Sequence, residues 1–478
     1  MRLVLVVPAL VAAAWLAGSA TAGDWLQFGI GPSRSNASPA ATGITAANVD
    51  GLVRQQVRLP GIADNNAVYL ANATIGGASH DAFFVTTSYG RTLAIDANTG
   101  SILWQYLPPG ISSWEHTPQI TTSAPAVDPG RRYLYAASPD GKIHKLAIAD
   151  GSEVTAGSWP VTITLDPKHE KIGPGINVSG NLVLASTGGY IGDIPPYVGH
   201  AVTIDRATGR LLHAFNALCS NRHGLIQPSS CQDFGAAMWG RGGIVVEPGS
   251  HKLLVATGNG PWNGRTDWGD SLLELSPDAS TLLQAYTPRH PEYLEGSDLD
   301  LGSASPAILT KNLIVQPGKD GKLRLLDLRH LNGRTARAAP ITGGELQILP
   351  GPKSHLILTA PCVWRNGTQT WVFVGNFAAI AGYLLLPGTK PKLKRMWQVT
   401  NGSSSPVLAG GLLYSYDPLQ SGFNVYRPTT GKLVTTLPTG KGHWNSPIVA
   451  DGRVAVPEGD SNDHDDTGVL DIFRLPGS

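Results

Sequence analysis

The amino-acid sequence predicts an all-β protein, an eight-bladed β-propeller of four-stranded antiparallel blades closed into a ring by its N-terminal strand. Two observations lead there. A short strand that ends in a turn, Gly-containing in seven copies, occurs eight times, and each chain end holds part of a unit that neither completes alone.

The repeat is clearest in the stretch from Leu93 to Gly100, which leads into Ser101 to Trp104. Its outline returns from Lys145 to Gly151, Val202 to Gly209, Leu273 to Ala279, Leu325 to Gly333, Tyr383 to Gly388, Val425 to Gly431 and Leu470 to Gly477. The mean spacing is roughly 55 residues. Each unit also carries an earlier apolar strand, such as Ala82 to Thr87, Tyr133 to Ala137, Leu182 to Ala185, Leu253 to Ala256 or Leu313 to Gln316. Period-2 strands separated by Gly turns and grouped in fours are what a blade requires. The eighth copy has no outer strand after it, and Asn48 to Leu59 precedes the first unit without inner strands of its own. Val53 to Leu59 is therefore expected to pair beside Val469 to Leu475.

Composition agrees: 57 Gly and 36 Pro suit many turns between short strands, and long helices are not expected. A formal net charge of +1 supplies no field that would gather nucleic acid or an anionic membrane. Residues 1–22 read as a signal peptide, with Met1-Arg2, an apolar run from Leu3 to Leu16 and the small-residue sequence Ala20-Thr21-Ala22. The mature domain is then 23–478, exported to a periplasm or beyond the cell, with no later apolar run long enough to span a membrane. In such an oxidising compartment Cys219 and Cys231, twelve apart in a polar loop, are expected to form a disulfide, leaving Cys362 as a buried thiol in a strand.

The pattern Ala94-Ile-Asp-x-x-Thr-Gly-x-x-x-Trp104, with the opening Asp24-Trp-Leu-Gln-Phe-Gly29, resembles the tryptophan-docking repeats of the pyrroloquinoline quinone (PQQ)-dependent dehydrogenase superfamily. The resemblance covers essentially the whole mature chain and implies the same eight-bladed ring. That superfamily also contains scaffold relatives without a quinone, the outer-membrane assembly lipoproteins among them, so repeats alone do not establish chemistry.

Three stretches are similar to the family's cofactor-binding motifs. Gly258-Asn259-Gly260-Pro-Trp262 with Trp268-Gly-Asp270 places Asn259 where the family has a metal-ligating Asn beside the quinone. A side-chain carbonyl suits a hard cation, while Gly-Asn-Gly also reads simply as a turn. Ser297-Asp-Leu-Asp-Leu-Gly-Ser303 places Asp298 at the catalytic base and Asp300 at the extra carboxylate of lanthanide-binding members. Carboxylates at i, i+2 on an extended strand point the same way and favour a cation between them, which makes Asn259, Asp298 and Asp300 the expected metal ligands; a solvated acidic loop is the other reading. Gly318-Lys319-Asp320-Gly321 places Lys319 where the family's Lys or Arg reaches the quinone oxygens, although Asp-Gly is equally a hairpin signal.

Departures from the family are also visible. No Glu stands in register in Ser186 to Asp193, where the third blade carries the metal-binding Glu, and only Asp193 from a shifted loop offers a carboxylate. The adjacent-cysteine ring over the quinone is missing. The floor Trp has no counterpart near Gly242, leaving Trp239 as the nearest aromatic candidate for cofactor contact. Polar clusters at Trp114 to His116, His443 to Ser446 and Glu458 to Asp466 flank inner strands and are further candidates to line a substrate mouth.

The resemblance thus implies an exported oxidoreductase that uses PQQ and a calcium or lanthanide ion to oxidise an alcohol or sugar hydroxyl and passes electrons to a separate acceptor. The alternative is a non-catalytic propeller that binds a protein or carbohydrate with the same face.

Overall fold

The computed structural model describes residues 23–333 and 341–476; the expected leader over 1–22 lies outside them. Every β-sheet among the described residues is four-stranded and antiparallel, and there are eight. Seven are built from consecutive strands, within 68–106, 126–162, 177–216, 245–286, 307–350, 362–399 and 407–438, numbered here blades 1 to 7. The first strands of blades 2 and 3, 5 and 6, 6 and 7, and 7 and 8 touch one another, which sets first strands around the axis. Among the described residues, helix is confined to short 3-10 turns and one α-helix, Pro291–Gly296.

Blade 8 joins the chain ends. Ile448–Ala450, Arg453–Glu458 and Gly468–Arg474 supply three strands, and Val53–Leu59 adds the fourth in the register Val53 to Arg474 through Leu59 to Gly468. The ring closes as the repeat count requires. Its seam is also electrostatic: Arg54 on the N-terminal strand donates to Asp471 at 2.8 Å and to Glu458 at 3.0 Å.

Between blades the core is apolar, with β-branched and aromatic side chains on both faces of each sheet. The docking tryptophans behave as the repeat suggests. Trp104 packs at the turn of the next blade, donating to the Ile148 carbonyl at 2.8 Å, and Trp397 does the same to Pro428. The turn glycines are needed for that approach. Gly151 has φ +73°, and a Cβ there would lie 2.6 Å from the Trp104 ring.

Cys219 and Cys231 are bonded, with Cα atoms 6.2 Å apart, and Cys362 is buried at the start of the strand Cys362–Asn366.

Burial, with Glu458 alongside, raises the Asp471 carboxyl to about 7, opposed by Arg54. A folded value above the unfolded one means that this group favours folding at low pH and loses that contribution as pH rises through about 7. Arg54→Ala removes the opposing cation. It should therefore cost about 2 kcal/mol at pH 8.5 and distinctly less at pH 5.5, where a proton can replace the guanidinium. Denaturant unfolding at the two pH values checks this; an equal loss at both would contradict it.

Candidate functional site

In an antiparallel blade, the loop that enters the first strand and the turn between the second and third strands lie at the same end. Residues from those loops in five blades meet in one cavity of about 350 Å³. Thr122 enters blade 2, Lys171 blade 3, Trp239 and Arg241 blade 4, Asp298 and Asp300 blade 5, and His443 and Trp444 blade 8. Asp193, Lys319 and Asn462 come from the second-to-third turns of blades 3, 5 and 8. Only the neighbourhood of the ring axis is within reach of so many blades.

One wall is acidic. Asp300 is buried, accepting from the Asn259 backbone N–H at 2.9 Å, the Trp239 indole N–H at 3.4 Å and the Lys319 ammonium at 3.1 Å. The Lys319 ammonium also donates to Asp298, and the Asn259 side-chain amide donates to Asp298 at 3.3 Å. Burial opposes charge on Lys319, but its contacts with the two carboxylates hold it above the ordinary lysine value. Asn259 Oδ1 is shut away from solvent and accepts no hydrogen bond. Gly258 lets this knot form, since a Cβ there would collide with the Asp300 carboxylate.

The four residues expected from the motifs, and Trp239 beside them, are thus brought together, but not by the expected local structure. Asp298 and Asp300 do not alternate along a strand. They follow the helix Pro291–Gly296, with Asp298 in a left-handed conformation (φ +52°), so Lys319 rather than the pleat aligns their carboxylates. Asp298 is 70% exposed at the cavity mouth, and Asp300 sits beneath it at 10%. The loop is pinned from below by Asp270, which accepts from the Leu301 N–H at 2.9 Å. Burial, and then the nearby Asp300, pushes the Asp270 carboxyl up to about 8.

Asp193 lines the same cavity, and its carboxyl is raised first by burial and then by the field of Asp300. It is the third-blade carboxylate of this site. The nearest Glu, Glu170, is turned away into an ion pair with His200 at 3.0 Å, both side chains fully buried. At Gly242 the floor has no room for a side chain: an added Cβ would lie 2.9 Å from Ser305 Oγ. Aromatic surface comes instead from Trp239 and Trp444, whose rings meet edge-on at 6.1 Å.

The cavity also holds basic side chains, of which His443 lay in a cluster singled out from the sequence and Lys171 and Arg241 did not. Lys171, enclosed by the cavity wall, is pushed down by burial to about 8, and burial lowers Arg241 to about 10. Arg241 has no carboxylate partner among the described residues and donates to the Asp64 carbonyl, the Thr122 carbonyl and Thr122 Oγ1. Burial works against charge on His443, but Asp64 and Asp460 overcome it and raise the ring to about 9. The cavity therefore carries both carboxylates and cations.

Comparison with known proteins places this geometry. The family described as "Outer membrane protein assembly factor BamB" matches residues 66–186. Among curated proteins no sequence matches. Among solved structures, the quinohemoprotein alcohol dehydrogenase ADHIIG from Pseudomonas putida HK5 is similar at TM-score 0.69 and 13% identity, over 98% of this chain and 82% of that one. A europium-containing methanol dehydrogenase is similar at TM-score 0.66 and 15% identity, over 95% of this chain and 98% of that one. BamB from Moraxella catarrhalis is similar at TM-score 0.53 and 13% identity, over 89% and 99%. By fold, this chain is an eight-bladed β-propeller, similar in architecture to these solved structures.

Proposed function

We propose that the chain is an exported quinoprotein oxidoreductase that binds PQQ and a calcium or lanthanide ion in the axial cavity and oxidises an alcohol or sugar hydroxyl. The observation that carries this reading is the convergence of Asp298, Asp300 and Lys319 on one cavity at the ring axis, with Asn259 bonded to both carboxylates and its Oδ1 buried and unpartnered. An orphaned carbonyl oxygen among carboxylates is a donor set for a hard cation. Asn259, Asp300 and Asp193 would hold the ion, which would share the carboxylates now joined through Lys319. The cofactor's own carboxylates suit Lys171, Arg241 and His443, and its flat ring system suits Trp239 and Trp444.

When bound, the quinone supplies the two-electron acceptor for the substrate's hydride. The chain's residues do the rest. Asp298, at the mouth, is reachable by a substrate hydroxyl and would take its proton, while Lys319 and the Asn259 amide fix the carboxylate's direction. Lys319 also places a fixed positive charge where negative charge builds on reduction. Electrons would leave to a separate acceptor, and the leader read at 1–22 points to a periplasmic or secreted setting. A second reading, a non-catalytic scaffold, is favoured by the BamB match over 66–186 and by the Gly242 position that admits no floor Trp.

Adding PQQ with calcium or a lanthanide to the purified mature chain separates the two: the oxidoreductase reading expects tight binding and dye-linked alcohol oxidation, the scaffold reading neither. Asp298→Asn keeps the shape but removes the base, and should lower turnover by about 10²–10⁴ while sparing quinone binding. Full turnover in that variant would move the proton elsewhere. Gly258→Ala drives a methyl group into the Asp300 carboxylate, so PQQ affinity in the presence of calcium should fall at least about tenfold. An unchanged affinity would show that Asp300 and Trp239 do not shape the site.

A further inference from the structure

We infer that Asp64, His443 and Asp460 form a second cation site on the blade-8 wall of the cavity, distinct from Asn259, Asp298 and Asp300, which takes a first-row divalent metal of the zinc type. The three come from separate segments: Asp64 from the link between Val53–Leu59 and blade 1, His443 from the loop entering blade 8, and Asp460 from the turn beyond Arg453–Glu458. One donor atom from each lies within 4.8 Å of the others, the single such group found among the described residues.

The geometry is awkward for hydrogen bonding and apt for coordination. His443 Nδ1 faces Asp64 Oδ2 at 2.9 Å and Asp460 Oδ1 at 3.2 Å. One N–H must then serve two carboxylates, and a bifurcated bond satisfies neither fully. A metal at the same point serves all three donors. Bonds of about 2.1 Å at tetrahedral or octahedral angles set neighbouring donors about 3.0–3.4 Å apart, close to the 2.9 and 3.2 Å from His443 Nδ1 to the two carboxylates, all three donors lying within 4.8 Å of one another. Both carboxylates are aimed beforehand by backbone donors: Asp64 accepts from the Trp444 N–H at 2.6 Å and the Ser461 N–H at 3.3 Å, and Asp460 from the Asn462 N–H at 2.9 Å. Such outer contacts are what hold metal ligands in place.

Asp64 is fully buried, so a divalent charge would also offset a carboxylate removed from water. One imidazole with two carboxylates suits zinc and its neighbours, whereas calcium takes six to eight oxygens. His443 and Asn462, the residue two beyond Asp460, line the cavity, from which water or a ligand would complete the coordination. The metal would tie together three segments at the blade that closes the ring.

The test uses tag-free, chelator-treated full-length protein and zinc chloride, with no quinone present, so its failure leaves the oxidoreductase reading untouched. Calorimetry should find one equivalent of zinc at micromolar affinity or tighter, with a rise in melting temperature. His443→Gln and Asp460→Asn should each weaken binding at least about 100-fold, while Asp300→Asn leaves it unchanged. Asp460, on a surface turn, serves if the His443 variant does not fold. Copper-loaded wild type should show pulsed-EPR coupling to one imidazole. No zinc uptake by the wild type, uptake unchanged in both ligand variants, or coupling to no imidazole or several would overturn the site.

Discussion

Eight sheets set around an axis enclose a hole that no strand occupies, and the protein must fill it with polar backbone. Residues 25–38 do so, pairing in turn with the first strands of blades 1, 2, 4, 6 and 7 through Trp25, Leu26, Pro32, Ser35 and Asn36 or Ser38. At the centre Arg34 is buried and donates to the Phe28, Gly175, Ile176 and Gly242 carbonyls. Burial lowers its guanidinium to about 9, a measure of what it costs to hold that charge away from water and from any carboxylate. The carbonyl cage offsets the cost and gathers three stretches of chain at the axis. Arg241, one residue from Gly242, forms the next layer. What would have been a channel is thereby a cavity with a floor.

That floor shapes the chemistry above it. Arg241 and Lys171 bring positive charge that no neighbouring carboxylate fully offsets, and an anionic ligand entering the cavity would complete them. The acidic knot lacks positive charge, because among the described residues Lys319 is the cation that acts on Asp193, Asp298 and Asp300. A ligand combining carboxylates with a bound cation fits this polarity, and a neutral sugar alone would leave both groups uncompensated.

The ring was legible in the sequence because a propeller is local: seven blades are made from consecutive strands, and turns such as Asn98-Thr-Gly100 mark most of them. Ring closure was legible for the same reason, as Val53 to Leu59 lacked a sheet of its own. Asn259, Asp298, Asp300 and Lys319 could be picked out by motif, yet their contacts are between loops up to some 60 residues apart, and period-2 alternation gave the wrong local geometry for Asp298. The helix start at His290-Pro291-Glu292, with Pro at its first turn, was the available sign. Asp193 was named only as a shifted-loop carboxylate, His443 and Asp460 only within polar clusters, and Lys171 and Asp64 not at all. They meet because the ring brings distant blades to one axis, and neither composition nor spacing encodes that encounter.

The central claim is that the axial cavity is a cofactor site whose ion sits on the blade 4 and blade 5 side. The most direct measurement is the crystal structure of the protein grown with PQQ and a lanthanide, the ion located by its anomalous scattering. The account predicts a single strong peak within coordination distance of Asn259 Oδ1 and an Asp300 carboxylate oxygen, with flat density stacked beside Trp239. A cavity with neither peak nor flat density at saturating ligand, or a peak on the outer rim, would contradict it.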